Sequence, residues 1–346
     1  MSEACYKEDL LDRLVRLVSV DSPSGFTKDV VALAEKMARE LGYATRRTRR
    51  GGLCITAEGR DNTRAVACFA HVDTVGLMVR DITEQGDLLI TRIGSPVLPS
   101  MEGEYCRIHT RDGRVYTGTV LSLSPAYHVY DDAATRPRDE ANLYIRLDEL
   151  AATRAAVRAL GIDRGDFVGV DAKPQITSSG FIKSRYLDDK ASAAILLTVL
   201  KKMKEEGVRP HFRTHIVFTV YEEICQGGAW QPEDMEEFLV VDMGCVGPHL
   251  GCTEQMVSIC AKDTVGPYDY ELTNRLIGLA RENKIDYAVD VYPHYSSDAA
   301  VAWASGCDAP GALIGPGVHA SHGMERTHWR GLANTLALVC AYLELG

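Results

Sequence analysis

Between Lys7 and Val18 the apolar residues Leu10, Leu11, Leu14, Val15 and Leu17 recur at three- and four-residue intervals, which predicts an amphipathic helix that breaks at Asp21-Ser22-Pro23-Ser24-Gly25. A second helix is predicted from Thr27 to Leu41, stopped by Gly42. Short strands follow at Ala44–Arg49 and Leu53–Ala57. The run Ala65-Val66-Ala67-Cys68-Phe69-Ala70 is apolar on both alternating sets, as a strand covered on both faces requires.

After Gly76 the period shortens. Leu77–Thr83 and Asp87–Arg92 flank Gln85-Gly86, and Arg107–Thr110 and Val115–Val120 flank Arg111-Asp112-Gly113-Arg114; both read as hairpins, and Asn142–Leu147 as a further strand. Only Glu149–Leu160 looks helical in this interval. From Asp171 onward helices (Ala191–Glu206, Tyr268–Glu282, Asp298–Ser305, Trp329–Leu343) alternate with strands (His215–Tyr221, Phe238–Met243, Tyr287–Tyr292, Ala312–Ile314). The pattern predicts a discontinuous, layered α/β domain, 1–76 plus 170–346, with a β-rich domain inserted at 77–169.

Composition narrows the function. The 346 residues include 46% hydrophobic and 25% charged residues, and 38 basic against 48 acidic residues give a net charge of −10. That balance argues against nonspecific binding to nucleic acid or to an anionic membrane surface. No apolar run is long enough to span a bilayer. The ten cysteines form no CxxC pair and do not read as a disulfide framework, so a cytoplasmic location is expected.

Chemistry-bearing residues gather at strand ends, where open α/β sheets present functional groups. His71-Val72-Asp73 follows the most apolar strand. Asp188-Asp189 opens the helix before Ala191; one aspartate alone would be an ordinary N-cap, but two adjacent carboxylates beside a buried element repel each other unless a cation intervenes. Glu222-Glu223 ends the strand His215–Tyr221, and Asp242 ends Phe238–Val241. Near the C-terminus lie His319, His322 and His328. Oxygen and imidazole donors of this kind suit Zn²⁺, Co²⁺ or Mn²⁺.

In the order His71-x-Asp73, Leu187-Asp188-Asp189-Lys190, Glu222-Glu223, Asp242 and a C-terminal histidine, the chain resembles the cocatalytic metallo-aminopeptidases of peptidase family M42, the glutamyl aminopeptidases. The resemblance implies an α/β metallo-exopeptidase domain with a mixed central sheet, carrying an inserted small β-barrel-like domain. It implies two divalent ions per subunit, Zn²⁺ or Co²⁺ foremost and Mn²⁺ also compatible. His71 and Asp242 would bind one, Glu223 and His322 the other, and Asp188 would bridge them. Glu222 would be the general base toward an attacking water, and Asp73 would support His71. The implied substrate is a short peptide or small amide cleaved at its N-terminal aminoacyl bond. The implied assembly is a dimer-based homo-oligomer that extends to a dodecamer.

Some positions depart from the family's usual pattern: Thr74 stands where an acid is common, Ser296-Ser297 where paired glycine and threonine are expected, and Gly323 where a serine follows the last histidine. The connector His249–Thr253 is also unusual. These departures bear on specificity, and they keep open a deacylase or deblocking hydrolase, or a hydrolase of a small modified-dipeptide amide. A catalytically silent scaffold would keep the fold but not the complete acid and imidazole set. A two-carboxylate glycosidase would not need the histidines.

Overall fold

The computed structural model describes residues 3–345. Asp61–His71 lies within a mixed sheet of twelve strands, parallel to Phe212–Thr219 on one side and to Met235–Val241 on the other. Gly311–His319 continues the parallel set beyond Met235–Val241. Antiparallel strands extend both flanks. Leu53–Ala57 pairs with Phe212–Thr219 and carries Thr45–Arg47 at its side. Val257–Lys262 pairs with Gly311–His319 and runs parallel to Tyr287–Val291.

The two alternating residue sets of the central strands bury against different layers, as the period of two requires. Cys68, Ala70, Leu239, Val241, Ala312 and Ile314 join the core beneath the helices Lys7–Val18, Lys28–Glu40, Leu187–Glu206 and Trp329–Tyr342. Ala67, Phe69, Phe238, Val240 and Leu313 join a second core with Ala299 and Ala302 of the helix Asp298–Ala304. Leu187–Glu206 is buried almost all round, wedged between the sheet and the outer helices. Shortening its fully buried Leu196 to alanine would cost about 2–5 kcal/mol through lost transfer energy and the cavity left behind.

Six antiparallel strands from the interval after the first sheet strands close into a barrel, in the order Gly76–Ile82, Leu88–Ile93, Leu143–Leu147, Val115–Ser122, Tyr105–His109 and Phe167–Val170. Leu77, Val79, Ile90, Ile108, Val120, Ile145 and Val168 fill it. The first hairpin turns at Gly86, whose φ of +86° a side chain would resist, and Ile82 faces Leu88 across it. Among the described residues no helix is long and apolar enough to cross a membrane.

Two element boundaries differ from the sequence reading for identifiable reasons. The helix expected over Glu149–Leu160 is only Arg154–Ala159, because Thr153 caps it by accepting the Ala156 amide at 3.2 Å. The short strand expected at Ala312–Ile314 runs Gly311–His319, because pairing with four neighbours carries it through Gly315-Pro316-Gly317.

The strand Asp61–His71 delivers its last residue to the mouth between sheet and barrel, since the barrel's first strand begins at Gly76. The junction is tied by Asp21, which accepts from Arg107 Nε at 2.6 Å and Nη2 at 2.7 Å and faces His109 Nε2 at 2.8 Å. Fully buried Arg185 adds a second tie: its guanidinium donates to the Ser100 carbonyl at 2.5 Å and to the Gly323 carbonyl at 3.3 Å.

Candidate metal centre

Three parallel strands release His71, Glu222-Glu223 and Asp242 at one sheet edge, and Asp188-Asp189 reaches the same place from the start of the buried helix. Asp188 and Asp189 sit within that helix's span but take non-helical backbone angles, which separates their carboxylates from the helical spacing. At Tyr221 a φ of +74° turns the chain off its strand into the single turn Glu222–Ile224. The side chains of two consecutive residues thereby approach one site, which a continuing strand would forbid.

Both imidazoles are oriented in the same way. His71 Nδ1 lies 2.9 Å from the Asp73 carbonyl, and His322 Nδ1 lies 3.0 Å from the Ser95 carbonyl. A carbonyl only accepts, so each Nδ1 carries the proton and each Nε2 is turned inward. An imidazole that ligates a metal through one nitrogen is usually held this way through the other. His71 Nε2 meets Asp188 Oδ1 at 3.0 Å, Glu222 Oε2 at 3.7 Å and Asp242 Oδ1 at 4.0 Å. His322 Nε2 meets Glu223 Oε2 at 3.2 Å and Asp188 Oδ2 at 3.5 Å. Asp188 thus presents one oxygen to each histidine. Among the described residues, His71 with Asp188 and Glu223, and His71 with Asp189 and Asp242, lie close enough to hold an ion.

All the sequence-predicted residues, His71, Asp73, Asp188, Glu222, Glu223, Asp242 and His322, converge here. The other two C-terminal histidines are elsewhere. His319 is exposed at the end of its strand, and His328 caps the last helix while its Nε2 faces the Ser179 carbonyl at 2.9 Å. Asp73 differs in detail from its expected role. Its carbonyl, rather than its carboxylate, makes the close contact to His71, the carboxylate lying 3.6 Å from Nδ1. The carboxylate instead accepts the amides of Glu222 at 3.2 Å and Glu223 at 3.3 Å and the Ser24 hydroxyl at 2.5 Å.

Three further participants were given no role of their own from the sequence. Asp189 is fully buried, accepts the His71 amide at 3.2 Å, and leaves Oδ1 without a hydrogen-bond partner. Glu325 accepts the amides of Asp188 at 3.1 Å and His322 at 2.8 Å, fixing a carboxylate and an imidazole together. Tyr295 has a buried hydroxyl without a partner, and burial and the nearby charges of Asp242, Asp188 and Glu222 push its pKa well up. Adjacency to Asp188 was the available signal for Asp189; for Glu325 and Tyr295 the sequence carried none. The unusual Thr74 is buried and exchanges backbone hydrogen bonds with Ser22 and Ser24, and Ser297 caps Asp298–Ala304.

Electrostatics show what this crowding implies. Burial drives Glu222 well above the usual glutamate range, with Asp242 and Asp298 adding to the rise against the pull of His71. Burial and the Asp188 charge raise Asp242 to about 7, and the same two causes raise Glu325 to about 8. His322, despite burial, is lifted to about 12 by its bonds to Asp188 and Glu223. Asp188 moves the other way: burial opposes its charge, but both histidines overcome that cost. Carboxylates outnumber imidazoles in this largely buried cluster, and Asp189 among them keeps an orphaned oxygen. Oxygen-rich and imidazole donors with an unmet negative charge fit divalent cations.

The profile of the M42 glutamyl aminopeptidase family matches residues 51–338, and the chain belongs to that family. YhfE of Bacillus subtilis (strain 168), named as an aminopeptidase, is 44% identical over 335 residues, covering 96% of this chain and 97% of that one. In fold the chain is similar to aminopeptidase APDkam598 of the archaeon Desulfurococcus kamchatkensis, with a TM-score of 0.87 at 19% identity over 99% of this chain and 96% of that one. It is also similar to the TET1 peptidase of Pyrococcus horikoshii, with a TM-score of 0.83 at 19% identity over 96% and 99% of the two chains. That peptidase assembles into a tetrahedron or a large octahedral shell. The chain is therefore an enzyme, a peptidase of the M42 type.

Proposed function

We propose that this peptidase removes N-terminal residues from peptides with the help of two divalent cations, Zn²⁺ or Co²⁺ foremost. The observation that carries the reading is Asp188, whose two oxygens face two inward-turned imidazole nitrogens. His71 and Asp242 would hold one ion, Glu223 and His322 the other, and Asp188 both. Asp189 stands behind His71 as a further acid. When bound, such ions supply Lewis acidity and lower the pKa of water.

The protein's own part is proton transfer and placement. Glu222 stands 3.7 Å from His71 Nε2, beside the ligand set, where a carboxylate can take a proton from water and return it to the leaving amine. Asp73 holds the backbone of Glu222, so the base is positioned by a bond to its main chain. His322 is 29% exposed, which leaves the site approachable from the barrel side.

We assign the barrel as a separate inserted domain, and from its likeness to the TET1 peptidase we assign the chain to a dimer-based homo-oligomer. The cysteine pattern of the sequence, with no CxxC pair, leads us to assign the chain to the cytoplasm. The test is metal-defined catalysis. Protein stripped by a chelator and reloaded with Zn²⁺, Co²⁺ or Mn²⁺ is assayed on unmodified peptides, N-acylated peptides and small amides. Metal-dependent cleavage of unmodified peptides supports the reading; cleavage confined to the acylated peptides would move it to a deacylase.

A further inference from the structure

A cavity of about 550 Å³ is lined by Thr219 and Val220, which lead the strand to Glu222, and its wall carries Arg46, Arg47, Arg49 and Arg50 against a single acid, Glu233. Its place follows from strand register. Thr219 pairs with His71, and on the next strand Leu53 pairs with Phe218. Arg50 and Gly52 therefore precede Leu53 at the same sheet edge that carries the acid cluster. Neighbouring strands lie about 4.8 Å apart, so the two steps from His71 to Leu53 cover about 10 Å.

The arginines are held but largely not neutralised. Arg47 pairs with Glu35 at 2.7 Å. Arg50 lies over the Tyr221 ring at 4.2 Å and donates to Gln226 Oε1 at 2.7 Å, three residues beyond Glu223. Arg46 lies over Trp230 at 5.0 Å. Among the described residues neither Arg46, Arg49 nor Arg50 has a carboxylate within ion-pair distance. One edge of the molecule thus presents acids at one point and unneutralised guanidinium groups a short peptide's length away. A zwitterionic peptide has the complementary polarity, with an ammonium at one end and a carboxylate at the other.

We propose that this cavity seats the C-terminal carboxylate of a di- or tripeptide whose amino end lies in the acid cluster, making the enzyme selective for short peptides with a free C-terminus. The inference rests on the aminopeptidase reading and adds the substrate's length and charge. An extended residue spans about 3.4 Å, so three residues cover about 10 Å and two cover about 7 Å, the remainder lying within the reach of an arginine side chain. Guanidinium groups recognise carboxylates through charge-assisted hydrogen bonds.

The test compares leucyl-alanine and leucyl-alanyl-alanine with their C-terminal amides, using the metal-loaded enzyme. The free acids are expected to show kcat/KM at least about tenfold above the amides, the gain of one charge-assisted hydrogen bond. Arg46→Gln and Arg49→Gln, both at exposed positions, should shrink that ratio toward one. Glutamyl-alaninamide separates a side-chain carboxylate from the terminal one. If it gains as much as the free acids, or if acids and amides are cleaved equally, the proposal is overturned. Calorimetric titration of the metal-loaded Glu222→Gln protein reads the same preference as binding: tighter binding of the acids supports the proposal, and equal affinity overturns it. Absence of turnover on every peptide by the parent enzyme would fault the aminopeptidase reading instead.

Discussion

Asp73 accepts the backbone amide of Glu222 at 3.2 Å across 149 residues of chain. The carboxylate that follows His71 is thus a clamp on the turn bearing both glutamates, while its carbonyl orients His71. Asp73→Ala should therefore disturb base and ligand together, lowering kcat/KM by about 10- to 100-fold, as loss of an outer-shell partner commonly does. Ser24→Ala removes only one neutral donor to that carboxylate and should cost about 1 kcal/mol of stability, read from urea unfolding, with activity largely kept. Equal kinetic loss in both variants would refute the clamp.

Asp188 and His322 test the pairing of ligands. Asp188→Ala should lower metal content at both positions, since each of its oxygens faces a different histidine. His322→Ala should lose one ion, and His319→Ala none, because His319 is exposed at its strand end. Metal analysis of the three purified proteins decides it. Loss of an ion from His319→Ala alone would move the assignment.

Much of this arrangement is legible in the sequence where local chemistry and pattern agree. The run ending in Ala70 is apolar on both sets, so its strand and the candidate ligand His71 at its end follow from one observation. Gly86 and Gly113 mark two hairpins because they alone relieve the positive φ there. Glu325–His328 was invisible: its residues are polar, yet it is a buried strand whose main partner, Phe181–Ser184, lies far away in sequence, while Gly311–His319 meets it through His319 and Arg326. Val257–Lys262 was passed over for a related reason, since Ser258 and Cys260 weaken its signal and pairing with Gly311–His319 decides it. Glu325 and Asp189 act through backbone amides 137 and 118 residues away, which no local spacing encodes.

The junction between barrel and sheet should show a pH signature. Burial alone would raise the pKa of Asp21, but Arg107 and His109 hold it down at about 2, below its ordinary 3.8. A depressed carboxyl contributes stability above its unfolded pKa and loses it as pH falls through the folded value, here between about pH 4 and pH 2. The contribution is about 2 kcal/mol. Asp21→Asn should thus be destabilised relative to the parent by a roughly constant amount above pH 4, with the gap closing toward pH 2. Urea midpoints at pH 6, 4 and 3 measure it; a gap that does not narrow would contradict the assignment.

Glu325 should matter through position. Glu325→Ala leaves the buried amides of Asp188 and His322 without their acceptor, at about 1–3 kcal/mol each. A fall in melting temperature together with weaker metal retention is expected. Full metal retention at a lowered melting temperature would limit Glu325 to a structural part.

The central claim is that Glu222 moves protons while its neighbours hold metal. Glu222→Gln keeps the side chain's size and removes its basicity. The decisive measurement is kcat on an unmodified peptide together with metal stoichiometry for this variant and the parent. The account predicts full metal content with kcat reduced by about 10²–10⁴-fold. A fully metallated Glu222→Gln protein with near-parent kcat would contradict it, and loss of an ion from that variant would make Glu222 a ligand instead.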